Sequence, residues 1–342
     1  MKSKYAEYAY YLTQGKINTY IVPPSIEIDF TNACNQDCTY CNVVEFRNAV
    51  HDKTKIHDYH TLIERVSTWS SYRANSIGNV NTITFVGGGE PTARKGYEYV
   101  VEQAVDTGIL VSIITNGSGL DKLFNINTNT IRKLSWIGVD IDSGDPEIYE
   151  KVRRSKKSGL YEKVKENIKS LTKLGVNVDI KSLLFNDTIS KHSIKSTLLY
   201  CKEVGARQVY FRLALLNKEL FIPNPGLEDY ITALGKELNV KVLINTSRMG
   251  ERNYKKCHAL HLIPIFSADS NVYTCCEDRG NDFFNLCDWV KTDFRDEWMG
   301  PKHKHMYDTL DLATCAPCRP HTHNVQIQNM IDKSSYVQDL FF

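Results

Sequence analysis

The sequence has no run of the roughly 18 apolar residues that a membrane span needs. Its first residues, Met1-Lys-Ser-Lys-Tyr-Ala-Glu, lack the charged-then-apolar order of a secretion signal. It also has little charge of one sign: 42 lysines and arginines face 40 aspartates and glutamates, a net +2. That balance argues against nucleic acid or a membrane surface as partner. The basic clusters at residues 153–157 and 302–305 are explained as well by solvated helix ends as by phosphate sites. Internal repeats and low-complexity tracts are absent, which excludes solenoids and arrays.

What the chain does have is cysteine, ten in 342 residues. Without an export signal these point to metal or redox use in a reducing cytoplasm rather than to disulfides. Cys34, Cys38 and Cys41 form Cys-x3-Cys-x2-Cys directly after a strand-like segment, residues 25–30. Three thiolates on one loop can hold three irons of a cubane cluster and leave the fourth iron open to an exchangeable ligand, and so to chemistry. Zinc held by these three and His51 is the alternative by ligand count. Further on, Cys257 and Cys275 bracket a hairpin pattern, residues 262–266 and 271–274, turning at residues 268–270, and Cys315-Ala-Pro-Cys318 adds a Cys-x2-Cys pair. These four suit a fully ligated cluster or a structural zinc equally well. Cys201 falls on an amphipathic helix pattern and reads as core, leaving Cys276 and Cys287 without a role.

Strand patterns at residues 25–30, 82–86, 110–115, 136–141, 176–185 and 208–213 are interleaved with helix patterns at 60–77, 96–107, 160–174 and 190–204. Six such units predict an α/β fold with a parallel sheet and helices outside it, because parallel strands need crossover connections. Periodicity does not separate a curved sheet from a flat one. Pro223-Asn-Pro-Gly226 breaks any regular element and suggests a boundary, giving a first domain at 1–222, a second at 223–320 and a tail at 321–342. A helix at 227–238 and a strand at 240–244 are expected beyond that boundary. Chemistry-bearing residues recur where the parallel strands end, which is where barrel enzymes place their sites. They are Gly87-Gly-Gly-Glu-Pro-Thr92, Thr115-Asn-Gly117, Asp140-Ile-Asp142 with Arg153 beyond, Asn186, and Arg212.

Cys34, Cys38 and Cys41, with Tyr40 before the last of them, resemble the signature of radical S-adenosylmethionine (radical SAM) enzymes. The resemblance implies a partial (β/α)6 TIM-like barrel, a SAM-binding [4Fe-4S] cluster and SAM. It implies that Gly88, Gly89 and Glu90 line the methionine end of SAM while Pro91 fixes the turn, with Asn116 in support. Asp142 matches the family aspartate and Arg153 the arginine that pairs with the SAM carboxylate. Asp140 stands where a serine is usual and would repel that carboxylate unless paired. Arg212 is expected to touch SAM or substrate.

Cys257, Cys275, Cys315 and Cys318 resemble the twitch form of the SPASM auxiliary domain, a small α+β unit holding a second [4Fe-4S] cluster. Ser270 replaces that family's hairpin glycine. The implied reaction is cleavage of SAM to a 5′-deoxyadenosyl radical, hydrogen abstraction from a small polar molecule of the sugar, aminocyclitol or nucleotide-sugar type, and its oxidation by the second cluster. Flavodoxin or ferredoxin would supply electrons. An epimerase using Cys276 or Cys287 as hydrogen donor is one alternative. A peptide maturase is another, although only 33 residues precede Cys34, too few for a leader-recognition domain. A molybdopterin-precursor cyclase is less expected: its third auxiliary cysteine and terminal Gly-Gly are missing. A non-catalytic iron–sulfur or zinc protein is the last reading. His321 and His323 are read as lying beside the ligands of the second cluster, as facing the substrate, or as exposed with no role.

Overall fold

A computed structural model describes residues 20–49, 57–216, 219–245 and 250–341; His51 lies outside them. Seven parallel strands build the main body. They are β1 (Ser25–Asp29), β2 (Thr82–Val86), β3 (Leu110–Thr115), β4 (Trp136–Asp140), β5 (Val178–Leu184), β6 (Gln208–Leu213) and β7 (Val242–Asn245). Each pairs with the next in parallel register. On the other side of β1 the sheet continues through β8 (Ile265–Phe266), β9 (Asn271–Tyr273) and β10 (Asn285–Asp288). The order is β7-β6-β5-β4-β3-β2-β1-β8-β9-β10, with β8 parallel to β1 and the last two strands antiparallel.

The strands alternate strictly, and the alternation separates scaffold from cavity. Ile26, Ile28, Ile83, Phe85, Val111, Ile113, Ile137, Val139, Val178, Ile180, Val209 and Phe211 are buried in one apolar core with the crossover helices. Each such side chain contributes about 1.5–3 kcal/mol of burial. Residues of the opposite parity (Glu27, Thr84, Asp179, Lys181, Gln208, Tyr210 and Arg212) line a cavity instead. Parallel sheets are normally apolar on both faces. A polar second face is what a sheet curved round a binding site presents.

The helices Tyr59–Ser67, Tyr97–Asp106, Leu160–Lys173 and Lys191–Glu203 occupy the expected crossovers. Capping starts two of them: Asp58 accepts from the Thr61 N–H at 3.0 Å and Ser190 from the Ser193 N–H at 3.0 Å. The helix expected over 60–77 stops at Ser67. Thr68 folds its hydroxyl back onto the Glu64 carbonyl (2.9 Å), and the Trp69 indole N–H turns in to the Tyr20 hydroxyl (2.7 Å). Ser76–Ile77 then pairs with Tyr20–Ile21 as a short parallel strand.

A division after residue 222 falls inside a continuous sheet, because β7 hydrogen-bonds to β6. Residues set apart as a tail form the helix His321–Phe341. Asn324 on it is buried and accepts from the Ala259 N–H (2.8 Å), while Ile327 packs on Leu262 and Ile21. Among the described residues no helix is long and apolar enough to cross a membrane.

Candidate active site

The three-cysteine loop leaves the C-terminal end of β1 and is pinned on two sides. Its backbone N–H groups at Asp37 and Thr39 donate to the carbonyls of Arg153 (3.2 Å) and Val152 (3.0 Å), at the end of the helix Pro146–Arg153. That helix starts where the sequence dictates, with Asp145 as its cap and Pro146 in its first turn. On the other side, Gly89 N–H donates to the Thr31 carbonyl (2.9 Å) and Glu90 N–H to the Ala33 carbonyl (2.8 Å). A Cβ on Gly89 would lie 2.1 Å from the Ala33 oxygen, and one on Gly88 2.4 Å from Asn32 Oδ1. The glycines therefore bring the two motifs into backbone contact.

Cys34, Cys38 and Cys41 line one cavity of about 240 Å³. Tyr40, Gly88, Gly89, Glu90, Pro91, Asn116, Asp140, Arg153 and Arg212 share its wall. Asp142 does not. It is buried behind the wall, where it accepts from the Tyr40 hydroxyl (2.6 Å) and the Leu183 N–H (3.0 Å) and lies 2.8 Å from Arg153 Nε. Its place is that of an anchor for Tyr40 and Arg153.

Glu90 is also more deeply committed than its motif suggests. Oε1 accepts from the Thr92 N–H (3.0 Å), the Thr92 hydroxyl (2.6 Å) and the Thr115 hydroxyl (2.5 Å), and Oε2 from the Asn116 N–H (2.7 Å). Asn116 in turn donates to Asn35 Oδ1 (2.8 Å), tying the end of β3 to the cysteine loop. Asp140 stands in register with Lys181 on β5 and lies within its field, with no ion pair between them among the described residues. Asn186 is exposed and lines neither of the two cavities described here.

The donor set fits an iron–sulfur cluster with SAM beside it. Among the described residues, no three or more His, Cys, Asp or Glu side chains close around a single metal ion. The thiols instead spread along a wall and lie within each other's field. Burial pushes Cys38 up to about 11, so a thiolate there needs cationic metal beside it. Arg47 Nη1 lies 3.6 Å from Cys41 Sγ. The Nη2 of Arg153 is buried without an acceptor and suits a carboxylate.

A second cavity, about 580 Å³, fills the polar side of the sheet and opens on the C-terminal cysteines. Cys257, Cys275, Cys315 and Cys318 all line it, and Cys257 feels the charges of Cys315 and Cys318. Asn324 donates to Cys257 Sγ at 3.8 Å, and Arg252 holds the carbonyls of Leu312, Cys315 and Ala316. Backbone clamped in this way presents both members of the Cys-x2-Cys pair to one space. His323 faces this cavity, whereas His321 packs on Tyr254.

The remaining cysteines separate. Cys276 lines both cavities and accepts from Arg319 Nε at 3.2 Å. Cys287 lines neither. It lies half-buried on β10 opposite Val272, with its thiol pushed up to about 12 by burial. Cys201 is core, 1% exposed.

Sequence reading missed Lys181, Asn245 and Arg319, which line both cavities. For Lys181 a signal existed. Val-Asp-Ile-Lys places charges at alternate positions of a strand whose other residues, Ser182 apart, are apolar, on the face away from the core. Arg319 carried no comparable signal, because its position depends on the fold of the C-terminal segment.

The model of the Radical SAM superfamily matches residues 28–199. The chain is 28% identical over 238 residues to a probable GTP 3′,8-cyclase of Methanocaldococcus jannaschii, covering 68% of this chain and 72% of that protein. In fold it resembles SuiB of Streptococcus suis bound to the precursor peptide SuiA, with a TM-score of 0.67 and 13% identity over 91% of this chain and 72% of SuiB. It also resembles anSMEcpe with bound AdoMet and the Kp18Cys peptide, with a TM-score of 0.58 and 15% identity over 92% and 98% of the two chains. At such identities these two likenesses speak of architecture alone. The match that spans half of the chain includes all three loop cysteines and the glycine turn packed against them, and on it the chain belongs to the radical SAM superfamily.

Proposed function

We propose that this radical SAM enzyme oxidises a small polar substrate, of the sugar, aminocyclitol or nucleotide-sugar type, held in the larger cavity. The observation that carries the reading is the continuity of the two cavities. The cysteine loop stands at one end, the four C-terminal cysteines at the other, and both spaces share Lys181, Arg212, Asn245 and Cys276. When bound, the first [4Fe-4S] cluster with SAM supplies a radical that removes a hydrogen atom, and a second cluster at the C-terminal thiols accepts the electron that completes the oxidation.

The chain's own residues bind and orient. Arg153, fixed by Asp142, would hold the SAM carboxylate, and the Gly88–Gly89 backbone would lie against its methionine end. Glu90 and Asn116 would keep that turn in register with the cysteine loop, and Tyr40 would close the wall over Asp142. Cys257, Cys275, Cys315 and Cys318 would hold the second cluster. Flavodoxin or ferredoxin in a reducing cytoplasm would be the electron source. The probable GTP 3′,8-cyclase relative supports a nucleotide-sized substrate.

Anaerobic reconstitution followed by reductant and SAM tests this reading: 5′-deoxyadenosine should form. Its absence with clusters intact would favour a binding protein. Cys276, at the junction of the cavities, favours epimerisation as the second reading. Turnover in deuterated water separates the two, since oxidation places no solvent deuterium at the reacting carbon and a thiol donor does.

A further inference from the structure

Where the two cavities meet, two cations of the wall stand without an ion-pair partner among the described residues. Arg319 is spent on Glu27 (2.8 and 3.0 Å) and on Cys276. Glu27 is shared further with Arg279, 3.3 Å away. Asp179 is taken by Arg207 (2.6 Å) and Gln208 (2.9 Å), and Asp142 by Arg153 (2.8 Å). Two cations remain. Lys181 is 5% exposed and, among the described residues, makes no hydrogen bond or ion pair; its ammonium lies 5.6 Å from the Trp136 ring centroid. Arg212, on the next strand, has a buried Nε with no acceptor. Two carboxylates stand nearby: Asp140 lies beside Lys181 in register, and Glu277, whose Oε1 accepts from the Arg319 N–H (3.2 Å), lines both cavities, but among the described residues neither forms an ion pair with Lys181 or Arg212.

We propose that Lys181 and Arg212 are the anion-binding end of the substrate cavity, and that the substrate carries a phosphoryl or carboxylate group held between them. This rests on the function proposed above and names the substrate's chemical class. Both residues point from adjacent parallel strands into the space shared by the cavities. A guanidinium fork takes two oxygens of such a group and an ammonium takes another as a point charge. Lys181 is buried and Arg212 half-buried, and an anionic ligand would supply the counter-charge that no ion pair gives them among the described residues. Burial brings Lys181 down to about 7; Arg212 and Arg319 push the same way, while Asp140 and Glu27 resist. Tyr210 on β6 and Trp136 on β4 complete its surroundings. An arriving anion would raise it again.

The test uses anaerobically reconstituted full-length protein and two probes of constant charge between pH 6 and 9, sulfate for a phosphoryl group and acetate for a carboxylate. By titration calorimetry at pH 6.5, one of them should saturate a single site, and the tighter probe identifies the group. Lys181→Met and Arg212→Met should each weaken that site by roughly tenfold or more, and wild-type affinity should fall between pH 6.5 and 8.5. Iron content and circular dichroism verify that each variant is assembled; if Lys181→Met is not, Lys181→Gln replaces it. No saturable site in the wild type, or unchanged affinity in assembled variants, overturns the proposal. SAM cleavage is scored separately on the wild type without either anion, so the proposed function stands or falls independently.

Discussion

Gly89 shows how much one missing side chain decides. Its Cα lies so close to the Ala33 carbonyl that a methyl group would overlap backbone, which cannot rotate away. Gly89→Ala should therefore destabilise the fold by about 1–3 kcal/mol, and it should lower iron uptake at the cysteine loop, measured by thermal unfolding and iron analysis. Glu90 is held by four donors, so Glu90→Gln places an amide N–H against at least one of them. A loss of about 1.5–3 kcal/mol in stability is expected, with any drop in SAM affinity following from a loosened turn.

His303 makes a pH prediction. Its Nδ1 accepts from the Met299 N–H (3.1 Å) and its Nε2–H donates to the Leu260 carbonyl (3.0 Å), so the buried ring is held neutral. Burial lowers it to about 4 from an ordinary 6.5. As pH falls below 6.5 the unfolded chain takes up a proton that the folded one refuses, so this stability is complete above 6.5 and is lost progressively towards 4. Unfolding in urea should show a contribution lower by about 2 kcal/mol at pH 5 than at pH 8, and His303→Asn should flatten that dependence.

At the scale of elements, the hairpin of β8 and β9 carries a local cost. Ser270 adopts φ +81°, a left-handed conformation, to let its N–H reach the Ser267 carbonyl (3.1 Å) and its carbonyl accept from the Trp289 N–H (2.8 Å). Glycine adopts this conformation without strain. Ser270→Gly should stabilise the protein by about 1 kcal/mol, seen as a higher thermal midpoint with iron content unchanged. The hairpin's parallel pairing to β1 is equally consequential. It sets β8 beside Glu27, and so brings Arg319, which follows Cys318, into contact with a strand of the barrel.

For the whole molecule the two cysteine sets imply two clusters on one continuous sheet. Wild-type protein reconstituted without oxygen should bind about eight irons, and replacing Cys34, Cys38 and Cys41 together by alanine should leave about four and abolish SAM cleavage. Zinc without sulfide at the C-terminal set would refute the second cluster. The buried network of Arg279 and Arg319 with Glu27 and Asp29 joins the C-terminal segment to β1. The cavity is thus closed by both halves of the chain.

The sequence by itself determined what is local or strictly periodic. Alternation in residues 25–30, 82–86 and 110–115 specified strands, because side-chain parity is a property of the extended backbone. Cys34, Cys38 and Cys41 specified the family, because ligand spacing on a loop is written directly in the chain. It did not determine where β7 pairs, since four residues of modest apolar character find their edge only when β6 is present. Nor did it reveal that Asp142 stands behind the wall, that Cys276 faces the cavities while Cys287 does not, or that Lys181 and Arg212, neither in an ion pair among the described residues, share one patch. Those depend on contacts between residues that are far apart in the chain, and only the tertiary structure, by curving the sheet and laying the C-terminal segment against β1, decides which of them meet.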